Sequence, residues 1–114
     1  MAKYECSLTG NFDVFLDMVD NGILNGSLSA SFEDGSDLQT GNIRCAVRVY
    51  ERYSMMGKNR VSLNITLLGN GEKLLLSAIT SGGSQAMFFK VNTWGEESFL
   101  DCLYEVVDNY RQTL

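Results

Sequence analysis

The sequence contains no histidine and no proline, and it has a single tryptophan among 114 residues. Without histidine, Ser-His-Asp and Cys-His catalytic schemes and every histidine-containing zinc site are excluded. The usual general base near neutral pH is missing as well. Without proline, no strand loses a ladder donor, which fits a domain built from long strands. No apolar run approaches the ~20 residues that a membrane-spanning helix requires. Basic side chains are scarce, 9 against 14 acidic ones, for a formal net charge of -5. Nucleic acids and anionic membranes select basic patches, so neither is expected as a partner.

The cysteines, Cys6, Cys45 and Cys102, are odd in number, widely separated and free of any CxxC spacing. They read as reduced, buried small side chains, with no metal site and no cofactor expected. Met1-Ala2-Lys3 leads straight into Tyr4-Glu5-Cys6. No apolar stretch of a signal peptide follows the lysine, so the cytoplasm is the expected compartment.

Hydrophobic residues make up 45% of the chain and charged residues 20%, the balance of a folded domain. Nothing divides residues 1–114, so a single domain is expected. Tyr4, Cys6 and Leu8 alternate with polar residues as in a half-buried strand. Asn11 is placed to cap a helix whose apolar face is Phe12, Phe15, Leu16, Val19 and Ile23, and which should end near Asn21-Gly22 or Asn25-Gly26. Ser27 to Glu33 alternates again, and Asp34-Gly35-Ser36-Asp37 reads as a turn. Ile43 to Ser54 is the longest strand candidate, with Ile43, Cys45, Val47, Val49 and Tyr53 as the inward set. After a connection at 55–59, Arg60 to Leu68 forms a strand with Val61, Leu63, Ile65 and Leu67 inward. Asn70-Gly71 then marks a hairpin. Strands at Lys73–Thr80 and Ala86–Val91 follow. Thr93 and Glu96 fit a capping box for a last helix carrying Phe99, Leu100, Leu103, Val106, Val107 and Tyr110 on one face.

The fold expectation is α+β, a two-layer sandwich in the order β-α-β-β-β-β-β-α. A mostly antiparallel sheet of five to six strands carries both helices on one face. This element order resembles a reduced helix-grip fold, the layout of steroidogenic-acute-regulatory-related and birch-pollen-allergen-like lipid carriers.

Three groups of residues bear on function. Arg44, Arg48 and Arg52 stand at even spacing on one strand beside Tyr50, and Arg60 opens the next strand. If this row faces outward, it can hold an anion by bidentate contacts and stacking. The plainer alternatives are a solvated face balanced by Glu33 and Glu51, or a subunit interface. Ser81-Gly82-Gly83-Ser84 can bring backbone amides close to an anion, but it lacks the lysine and spacing of a phosphate loop, sits between two strands, and reads first as a flexible hairpin loop. Glu96 and Glu97 are adjacent, and neighbours on a helix do not face each other, so they suit a first turn rather than acid-base work.

Ile23-Leu24-Asn25-Gly26-Ser27, the run Arg44 to Tyr53, and Ile79 through Glu97 resemble the pattern of a small uncharacterised bacterial family of unknown function. That resemblance implies a bacterial origin and assigns no functional residue. The function expected is therefore a non-enzymatic module binding a small anionic or amphipathic ligand. The alternative is a structural or interaction protein that homodimerises through its sheet face or edge.

Overall fold

A computed structural model describes residues 1–26, 29–54, 59–82 and 89–113, with the side chains of 54, 59 and 89–95 excepted. In chain order the elements are β1 (Lys3–Thr9), α1 (Phe12–Gly26), β2 (Ser31–Thr40), β3 (Ile43–Ser54), β4 (Asn59–Asn70), β5 (Lys73–Gly82) and α2 (Phe89–Gln112). The strands form one antiparallel sheet in the order β1-β5-β4-β3-β2, and the α+β class and two-layer layout hold.

Local chemistry sets the element ends. Asn11 Oδ1 accepts the Val14 amide at 2.9 Å, the expected cap of α1. The helix does not stop at Asn21-Gly22 but continues to Gly26. Gly22 serves instead as a recess for α2: a Cβ there would lie 2.2 Å from Val106 Cγ2. The β2–β3 and β4–β5 hairpins turn at Gly41 and Gly71, whose φ values of 57° and 61° suit glycine.

One side of the sheet holds the core. Val61, Leu63, Ile65 and Leu67 of β4, with Leu74, Leu76 and Ala78 of β5, are buried beneath Phe15, Val19 and Ile23 of α1 and Phe99, Leu103 and Val107 of α2. Each fully buried aliphatic or phenyl side chain contributes about 1.5–3 kcal/mol relative to exposure. Phe15 and Tyr110 meet edge to face at 5.0 Å, and the Tyr110 hydroxyl donates to the Thr9 carbonyl at 3.0 Å, which ties α2 to β1.

Several expectations are corrected. Asp34-Gly35-Ser36-Asp37 is not a turn. It pairs with β3 through the middle of β2, after a bulge between Phe32 and Asp34. This edge strand is almost wholly exposed, so it carries none of the apolar alternation by which strands are recognised. The sixth strand expected at Ala86–Val91 is not formed by Phe89–Val91, which open α2, and 86–88 lie outside the described residues. For the same reason the capping box does not start the helix, because Thr93 already lies inside it. The Glu96 carboxylate is buried and meets the α-amino group of Met1 at 3.2 Å through Oε1. The three cysteines are free and half-buried rather than buried.

Candidate functional site

The arginine row does not face outward. Cross-strand register places Arg44 beside Gly69, Ala46 beside Leu67, Arg48 beside Ile65, Tyr50 beside Leu63 and Arg52 beside Val61. Because paired residues share a face, Arg44, Arg48, Tyr50 and Arg52 stand on the helix-covered side. Tyr50 is fully buried and donates to Asp20 Oδ1 of α1 at 2.9 Å; burial, then that bond, pushes its phenol pKa up. The Arg52 guanidinium lies 4.8 Å over the Phe99 ring, and burial lowers its pKa. Arg48 turns toward β2, donating to the carbonyls of Val47 at 2.9 Å and Ser36 at 3.3 Å and to Asp37 Oδ1 at 2.9 Å. Long aliphatic stems let these residues cover apolar surface while their charged ends find partners at its margin.

Arg60 does not join them. It stands on the other face of the sheet, bonded to Glu51 Oε1 at 2.7 Å and 3.8 Å from Glu33. Of the expected loop, Ser81 and Gly82 end β5, with the Ser81 and Ser62 hydroxyls 2.8 Å apart, while Gly83 and Ser84 lie outside the described residues.

Arg44 reaches an open concavity. A cleft of about 510 Å³ lies at one end of the sheet, where the start of α1 meets the two glycine hairpins. Asn11, Phe12, Asp13, Gln39, Asn42 and Arg44 line it, with Asn70 and Glu72 from the second hairpin. Arg44 stacks 4.2 Å above the Phe12 ring and grips Asp13 with both terminal nitrogens, at 2.9 and 3.0 Å. The hydrogen bonds from Arg44 hold the Asp13 pKa below the usual carboxylate value, and the same pair raises that of Arg44. Asn11, Gln39, Asn42 and Asn70 add amide donors and acceptors. Sequence reasoning missed the cleft because its lining comes from segments far apart in the chain. The Asn and Gly residues of the turns were the only signal.

Among the described residues no group of histidine, cysteine, aspartate or glutamate is arranged to hold a metal ion. No described helix is long and apolar enough to cross a membrane. Burial is the main cause that pushes the Cys102 thiol up, which is the opposite of what activates a nucleophile.

The fold and the cleft define an open-faced two-layer α+β sandwich with a polar pocket at one end of its sheet. The profile of a family of unknown function (DUF6054) matches residues 1–111, and the chain belongs to that family. No curated protein matches it.

Proposed function

We propose that the protein is a non-enzymatic module that binds a small ligand with an anionic group in the cleft at the end of the sheet. The observation that carries this reading is Arg44. It borders an open concavity, with its guanidinium 4.2 Å over the Phe12 ring and its fork already shaped around a carboxylate. Asp13 stands in for the ligand's anionic group, and a ligand carboxylate or phosphate takes its place on the fork. The cleft volume falls within the roughly 300–1,000 Å³ of small-molecule sites. The surrounding amides then fix orientation rather than supply affinity.

The test is a titration of acetate and inorganic phosphate against the backbone amide spectrum. Shifts should concentrate at 10–13, 39–44 and 69–72. Asp13→Asn frees the fork and should tighten binding, and Arg44→Ala should remove it. If neither the native chain nor Asp13→Asn shows localised shifts, the reading is wrong.

A further inference from the structure

The face of the sheet opposite the helices bears side chains that a solvated surface does not need. Leu38 is 60% exposed, Leu75 52%, Ile43 42%, Ile79 40% and Leu68 37%, and all of them stand on this one face. The register arranges them in rows that run across the strands. One row is Leu38, Cys45, Leu68, Leu75 and Ser7. Another is Asp34, Val49, Asn64, Ile79 and Lys3. In each row an apolar residue or cysteine stands on both sides of a central β4 residue, and the second row has opposite charges at its two ends.

We propose that this face is a homodimer interface, occupied by a second copy of the chain related by a two-fold axis running along β4. That operation lays β1 of one copy over β2 of the other and each row over itself reversed. Leu68 then meets the partner's Leu68, and Asn64 the partner's Asn64. Val49 meets the partner's Ile79, and Cys45 the partner's Leu75. At the two rims Asp34 faces the partner's Lys3. An axis across the strands would instead lay β1 over β1 and β2 over β2, which sets like edges together and forgoes the charge match.

The size is right as well. Strands about 4.8 Å apart and about 3.3 Å per residue give a face on the order of 800 Å². That is roughly what each partner contributes to an interface of standard size. The first row has Leu68 at its centre, and the second ends at the rim in charges of opposite sign. The β2 edge does not offer an equivalent surface. β2 carries a bulge and the acidic residues Glu33, Asp34 and Asp37, devices that discourage strand addition.

Sedimentation equilibrium of the full chain under reducing conditions, over a wide concentration range, tests the interface. The native chain should show the mass of a dimer. Leu68→Asp places two carboxylates together at the axis, so it should weaken association more than about a hundredfold while the far-ultraviolet circular dichroism stays native. Asp34→Lys should weaken association by about threefold to thirtyfold, and adding Lys3→Asp should restore it, because both rim pairs are then reformed with reversed sign. A native chain that stays monomeric at every concentration overturns the proposal, and that result would leave the face to a small amphipathic ligand. A dimer that ignores Leu68→Asp overturns it too, as does a dimer that Leu68→Asp breaks but the double charge exchange does not rescue.

Discussion

On the helix side of β3 stand Arg44, Ala46, Arg48, Tyr50 and Arg52; on the other side stand Ile43, Cys45, Val47, Val49 and Tyr53. By composition the second set belongs inside and the first outside, yet the fold does the reverse. The deciding influence is the neighbouring strands. β4 and β5 present Val61, Leu63, Ile65, Leu67, Leu74 and Leu76 to the helices, and the register of β3 on β4 carries the arginine row along with them. Each strand's burial is thus set by its partners' pattern as much as by its own. Polar residues with long stems are tolerated at the margin because they reach Asp13, Asp37 and the rings of Phe12 and Phe99.

The contrast between the faces can be broken by mutation. Phe15→Ala, at a fully buried site, should cost about 3–5 kcal/mol in urea unfolding. Leu75→Ala, on the open face, should change monomer stability by less than about 0.5 kcal/mol when measured in a Leu68→Asp background. Equal losses at the two sites would show that the open face is covered within the monomer. Next in size is Gly22→Val, which drives side-chain atoms into Val106 and should cost about 1–3 kcal/mol. Val106→Ala in the same chain should recover part of that loss, and thermal melts of the single and double variants give the coupling. Tyr50→Phe removes the hydroxyl that holds Asp20 and should cost about 0.5–1.5 kcal/mol by the same unfolding assay.

The smallest effect is at the exposed Arg44–Asp13 pair. Asp13 has a depressed pKa in the folded state, so its contribution is present above the unfolded value of about 3.9. It is lost as pH falls through the lower folded value. Unfolding of the native chain and of Asp13→Asn should therefore differ at neutral pH and converge in acid. A difference that persists in strong acid would mean that the pair is not its source.

Much of the fold is visible in the sequence. The Asn11 cap, the apolar stripes of both helices, the Asn70-Gly71 hairpin and the alternation of β1, β4 and β5 are local signals, and local chemistry decides them. The start of β2 overlaps the strand expected at Ser27 to Glu33, but its continuation through 34–40 was hidden because it is a polar edge held by backbone pairing, a long-range cause without a side-chain signature. The facing of β3 was hidden for a related reason. Its alternation gives two faces but not which of them meets the helices. Of the expected anion site, Arg44 reaches a cleft, while Arg48, Tyr50 and Arg52 are taken up by partners within the fold and Arg60 lies across the sheet.

The bulge in β2 has a further effect on how this edge tolerates change in length. Phe32 faces the Tyr50 ring at 6.0 Å on the helix side, while beyond the bulge it is Gly35, Asp37 and Gln39 that take that side. The strand therefore changes reading frame at Glu33. A chain shortened by that one residue would pair as a regular ladder, with Gly35, Asp37 and Gln39 still toward the helices and Asp37 still beside Arg48. Loss of that exposed residue would remove the bulge and leave the edge in register, whereas loss of one residue from the unbroken run 34–40 would reverse the facing of those on one side of it.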